Sequence, residues 1–75
     1  MELNEAASAL AALSQSSRLE VFRLLVRSKM ALCAGEIAQQ LDLPKPTLSF
    51  HLKELSQAGL IDSKRDGRSI YYGVR

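Results

Sequence analysis

The stretch Ala34-Gly35-Glu36-Ile37-Ala38-Gln39-Gln40-Leu41-Asp42-Leu43-Pro44-Lys45-Pro46-Thr47-Leu48-Ser49-Phe50-His51-Leu52-Lys53-Glu54-Leu55-Ser56-Gln57-Ala58-Gly59 decides the fold. Ala34, Ile37, Ala38 and Leu41 recur at i, i+3, i+4 and i+7, which predicts a short helix. Pro44 disfavours helical geometry at Leu43, so the chain breaks there. A second helix starts again at once, because Pro46 is tolerated in a first turn whose N–H groups need no helical acceptor. Leu48, Leu52 and Leu55 form its apolar stripe, and Gly59 supplies a left-handed stop. Two short helices joined by so tight a break make a helix-turn-helix over residues 34–58.

On the N-terminal side, Leu3, Ala6, Ala7, Leu10 and Leu13 keep helical spacing, predicting a helix over residues 1–13 with a narrow, Ala-rich face. No Lys or Arg flanks that face, so a protein surface, such as a dimer contact, suits it better than a membrane. Ser17-Arg18-Leu19-Glu20 reads as a capping box opening a further helix. Leu19, Phe22, Leu25 and Val26 are its expected buried side, with Arg18, Arg23 and Arg27 in solvent. Ala31-Leu32-Cys33 is a short connector or minimal strand. On the C-terminal side the period changes from helical to alternating. Asp66-Gly67 reads as the centre of a two-residue hairpin turn, and Ile70, Tyr72 and Val74 share one face of the returning strand. The expected fold is mainly α with a small β-hairpin over residues 60–75: a winged helix-turn-helix, in which the hairpin is the wing.

Composition limits the function. Seventy-five residues form one small domain that buries only about 60% of its unfolded surface, so a partner subunit is the expected source of added stability. The single cysteine, Cys33, excludes an intrachain disulfide, and no Cys/His cluster offers a structural zinc site. No apolar run approaches the ~20 residues of a membrane span, and the acidic N-terminus is unlike a signal peptide. A cytoplasmic location, where a lone thiol stays reduced, is expected. Residues 1–42 carry four Lys/Arg against five acids, and residues 43–75 carry six against three, so the halves differ from −1 to +3. A basic C-terminal half hints at a polyanion. Catalysis finds no support: there is no Ser/His/Asp, Cys/His or paired-carboxylate constellation and no phosphate-cradling glycine loop.

Ser17-Arg18-Leu19, Ser49-Phe50-His51-Leu52-Lys53-Glu54-Leu55 with Ala58-Gly59-Leu60-Ile61, and Arg65-Asp66-Gly67-Arg68 with Tyr71-Tyr72 together resemble the arsenical-repressor (ArsR/SmtB) family. The resemblance runs from about Leu13 to Arg75. It implies a homodimeric repressor bound to double-stranded DNA at an inverted-repeat operator and released by a metal, metalloid or other inducer. Lys45, Thr47, Ser49, Phe50, His51 and Lys53 are then candidates for contact in the major groove, Phe50 through a thymine methyl group. Lys64, Arg65 and Arg68 are candidates for phosphate contact from the wing. Leu3, Ala6, Ala7, Leu10 and Leu13 are candidates for the dimer interface.

The departures from the family pattern direct the inducer question. Relatives that sense arsenic from the third helix use a Cys-x-Cys pair and a further cysteine one turn on. Cys33 matches the first, but Gly35 and Ala38 hold the other two positions. One thiolate cannot form a trigonal arsenic site, so no metal site is expected within residues 1–75. Phe50 stands where Arg or His is common. A branch with a similar Ser-Phe-His-Leu-Lys helix carries its arsenic ligands after a final helix, which places any arsenite or antimonite ligands beyond residue 75, along with that dimerisation helix. A winged-helix protein-interaction module, or a repressor of the same family sensing a non-metal or redox signal, are the competing readings.

Overall fold

A computed structural model describes residues 2–75. The elements run α1 (Leu3–Leu13), α2 (Ser16–Arg27), β1 (Leu32–Cys33), α3 (Ala34–Leu41), α4 (Lys45–Gln57), β2 (Ile61–Asp66) and β3 (Ser69–Val74). The three strands form one antiparallel sheet in the order β1-β3-β2. Four helices with a small hairpin sheet make a winged helix-turn-helix, as the alternation of periods predicts.

Local chemistry explains the boundaries. α3 ends because Asp42 takes a left-handed conformation at φ 53°, and the Leu43 amide donates back to the Ala38 carbonyl at 3.1 Å. α4 ends in a full Schellman motif. Gly59 sits at φ 78°, its N–H donates to Ser56 O at 3.0 Å, and the Leu60 N–H donates to Leu55 O at 3.0 Å. At the start of α3, the Cys33 N–H donates to Glu36 Oε1 at 3.0 Å while the Cys33 side chain faces the backbone N–H of Glu36. Cys33 thus fills the Ser/Thr place in a capping box. The Cys33 N–H first, and the Cys33 side chain second, hold the exposed Glu36 carboxyl below its usual pKa.

Three expectations are corrected. α2 is capped by Gln15, whose Oε1 accepts from the Arg18 N–H at 2.7 Å, so Ser17 lies inside the helix. Its buried side is Val21, Leu24 and Leu25, with Phe22 half-buried; Leu19 and Val26 are 37% and 57% exposed. Residues 19–26 hold apolar side chains all round the helix, and packing against α1, α3, α4 and β3 selects the phase. The hairpin turn is Gly67-Arg68 rather than Asp66-Gly67, since Asp66 pairs with Ser69. Gly67 alone has positive φ (63°), which is the pattern of a type II′ turn.

The core is one cluster: Ala12, Val21, Leu24, Leu25, Leu32, Ile37, Ala38, Leu48, Leu52, Leu55 and Ile61. α1 enters it through Ala12, with Ala9 also buried, Ala6 half-buried and Leu13 packed on the edge. The expected single stripe of α1 is therefore split. Ala6 and Leu13 turn inward, whereas Leu3, Ala7 and Leu10, at i, i+4 and i+7, face away, with Leu3 84% and Leu10 70% exposed.

Candidate nucleic-acid interface

The second helix of the pair, α4, is fixed from beneath by Leu48, Leu52 and Leu55. That burial turns Lys45, Thr47, Ser49, Phe50 and Lys53 outward, all of them exposed. Lys45, Ser49 and Lys53 follow at intervals of four and so form one ridge. Pro44 precedes the helix with no side-chain cap and its first turn holds no acid. The helix N-terminus therefore keeps its partial positive charge for a phosphate. Phe50 is 54% exposed, a large apolar ring in a basic surface. An α-helix has the dimensions of the major groove, and this outward set presents groups of three kinds: ammonium groups, hydroxyls and one aromatic face.

His51 does not belong to that surface. It is only 5% exposed, among the core residues of α4, and neither ring nitrogen has a hydrogen-bond partner. Burial first, and the nearby Arg18 charge second, hold its pKa below the ordinary imidazole value. A neutral, enclosed imidazole offers no atom to a base edge, so the expected DNA contact is withdrawn. Helical spacing alone places His51 at the edge of the Leu48/Leu52 stripe; the depth of that edge depends on how the neighbouring helices close over it.

Arg18 occupies an unexpected place. Its Cζ lies 5.6 Å from the Phe50 ring centroid, and its Nη1 donates at 3.4 Å to the carbonyl of Ala12 at the end of α1. Nε is buried without a partner. The signal was in the sequence: Arg18 precedes Val21 and Leu25 by three and seven residues, which puts it on the inward stripe of α2 rather than the solvated face.

The wing contributes Lys64 and Arg65 from β2 and Arg68 from the turn, all exposed. Lys64 pairs with Tyr71 and Arg65 with Ile70, so the two cations leave opposite faces of the hairpin. The root of the wing is anchored by buried Ile61, by Tyr72 against the core, and by the two-residue β1, whose Leu32 and Cys33 pair with Tyr72 and Tyr71. Arg75 and Asp62 form an ion pair at 2.6 Å, the sole salt bridge among the described residues, which lowers the Asp62 pKa. Lys45, Lys53, Lys64, Arg65 and Arg68 thus have no acidic partner among the described residues.

Elsewhere the chemistry is sparse. Among the described residues, no group of three His, Cys, Asp or Glu side chains comes together, and no helix is long and apolar enough to cross a membrane.

A helix with an outward polar and basic face, propped on a second helix and flanked by a basic hairpin, defines the class of winged helix-turn-helix DNA-binding domains. Residues 13–64 match the family model described as a helix-turn-helix domain. An arsenical resistance operon repressor of Staphylococcus aureus is 38% identical over 72 residues, covering 96% of this chain and 67% of that protein. A cadmium resistance transcriptional regulatory protein of Listeria innocua is 36% identical, covering 84% of this chain and 52% of its own length. Among solved structures, the homodimeric winged helix-turn-helix DNA-binding domain of a Mycobacterium bovis protein superposes with a TM-score of 0.88 at 28% identity, covering 96% of this chain and 65% of that one. The chain belongs to the arsenical-repressor (ArsR) family of winged helix-turn-helix transcriptional regulators, which are not enzymes. It spans about half to two thirds of the length of the curated relatives it matches.

Proposed function

We propose that this chain is the DNA-reading part of a homodimeric repressor that sets α4 in the major groove of each half of an inverted-repeat operator and lays the wing on the backbone. The observation that carries the reading is the set of unpaired cations, Lys45 and Lys53 on α4 with Lys64, Arg65 and Arg68 on the wing, around an exposed Phe50. Lys45, Thr47, Ser49, Phe50 and Lys53 meet the groove. The homodimeric Mycobacterium bovis structure supports the assembly, and the outward Leu3, Ala7 and Leu10 of α1 supply part of its contact. A titration against selected and random duplexes tests the proposal. A steep fall of affinity with salt, and a selected site containing two inverted half-sites roughly one helical turn apart, are expected. Salt-independent or absent binding would favour a protein-contact module instead.

The inducer is a metalloid, arsenite or antimonite, a reading supported by the likeness to the arsenical operon repressor. Its ligands lie beyond residue 75. Within the chain, Cys33 serves the α3 cap and has no second thiol near it. Serine makes the same cap, so Cys33→Ser in the full-length repressor should leave arsenite-driven release from DNA unchanged; loss of that response in a release assay would return the sensor to this residue.

A further inference from the structure

An exposed aromatic ring on a reading helix discriminates between bases only if its orientation is fixed. Phe50 is 54% exposed, and α4 alone leaves its side chain free to choose between rotamers. Two groups limit it. His51, its neighbour in the chain, holds its own ring 6.1 Å away at a 57° tilt. Arg18, thirty-two residues earlier, sets its guanidinium 5.6 Å from the ring centroid. Arg18 is itself constrained: Nη1 reaches the Ala12 carbonyl, and Nε is buried. A fixed cation on one side of an aromatic ring is attracted to the ring's negative face and turns the other side outward.

We propose that Arg18, which lies outside the recognition helix, is the positioning residue for base discrimination at Phe50: clamped to the end of α1, its guanidinium holds the Phe50 ring in the one orientation that presents a face to a thymine methyl group. The inference rests on α4 being the DNA-reading helix. Arg18 acts through the ring and not as a phosphate contact, because its Nη1 is engaged by the Ala12 carbonyl and its Nε is buried. The contact also joins the α1 end to the reading surface, so the position of α1 is felt at the base that Phe50 meets.

Two measurements test it. In the free 75-residue chain, NMR should show Arg18 side-chain protons shifted upfield by the Phe50 ring current, and Phe50→Leu should return them to ordinary values. Arg18 protons at ordinary shifts in the unsubstituted chain would overturn the proposal without touching the DNA reading. For the second measurement, sites are enriched from a random duplex pool and each thymine is replaced in turn by uracil, which removes only the 5-methyl group. One thymine per half-site should then cost roughly three- to tenfold in affinity. Arg18→Met, which keeps the apolar stem, should erase that one penalty, leave the other positions and the salt slope unchanged, and be partly rescued by Arg18→Lys. Uniform weakening on every sequence, or a salt slope lower by about one, would make Arg18 a structural or phosphate residue and overturn the proposal. Should the unsubstituted chain show no sequence preference while the ring-current shift is present, the DNA reading fails and the Arg18–Phe50 contact stands as packing alone.

Discussion

Two residues of one turn of α4 illustrate how a helix separates an outward face from a buried one. Ser49 and His51 look equally polar in sequence, yet Ser49 is exposed and His51 is enclosed among Leu48, Leu52 and Leu55. Ser49→Ala should therefore weaken operator binding by about 1–3 kcal/mol if it loses one base contact, with thermal stability unchanged. Equal affinity in a binding titration would remove Ser49 from the interface. His51 should behave in the opposite way. Its nitrogens are buried without partners, a cost of about 1–3 kcal/mol that an apolar side chain of similar size does not carry. His51→Leu should match or exceed the unsubstituted chain in stability. The pH dependence follows from the same burial. The folded-state pKa of His51 lies below 6.5, so as pH falls the unfolded chain takes up the proton first. The stability linked to His51 is full above pH 6.5 and declines as the pH drops from there towards and through the lowered folded value. Urea unfolding between pH 7.5 and 5 should show that decline, and His51→Leu should flatten it.

At the level of elements, the wing is tied to the core at its base and free at its tip, since Ile61 is buried while residues 62–70 are all exposed. In the proposed complex its cations act as long-range charges rather than as readers of sequence. Replacing Arg65 and Arg68 by Gln should weaken specific and random duplexes alike and lower the salt slope by roughly one per lost phosphate contact. A loss confined to the specific duplex would mean that the wing reads bases. How far the elements were legible depended on whether local chemistry or a distant neighbour decided them. The Ala34–Leu41 helix, the break at Pro44 and the stop at Gly59 are set by side chains within a few residues, and all three can be read directly. β1 cannot, because two residues carry no period and become a strand only by pairing with Tyr71 and Tyr72. The cap of α2 lies in a run of four polar residues, Ser14 to Ser17, in which the capping-box pattern points to Ser17 but Gln15 makes the bond. The outward face of α4 was legible because its leucines have only one phase. The depth of His51 was not, because it depends on how α1 and α2 meet α4, and spacing that puts Arg18 on the inward stripe of α2 does not show that it meets Phe50.

For the whole molecule, a single reading helix meets one half-site, and the affinity of one such contact at physiological salt is small beside that of two joined by symmetry. In the proposed dimer the second half comes from a partner, and the outward face of α1 is the surface proposed for it within this chain. Leu3, Ala7 and Leu10 line one side of the helix, while Ala9 and Ala12 hold the other side to the core. Because Leu10 is 70% exposed in the protomer, a charge there costs the monomer fold little. In a two-fold contact the same charge would face its own copy across the axis, both desolvated and alike in sign. Leu10→Asp should therefore leave the circular dichroism spectrum and the dilute-solution melting point nearly unchanged. It should also shift sedimentation to the monomer and cut affinity for the inverted repeat to that of an isolated half-site. The decisive comparison is between a duplex with two half-sites and one with a single half-site. The unsubstituted chain should prefer the former strongly, and Leu10→Asp should bind both alike. If Leu10→Asp still dimerises and still prefers the inverted repeat, the symmetric contact lies on another surface and the outward face of α1 is not what joins the two reading helices.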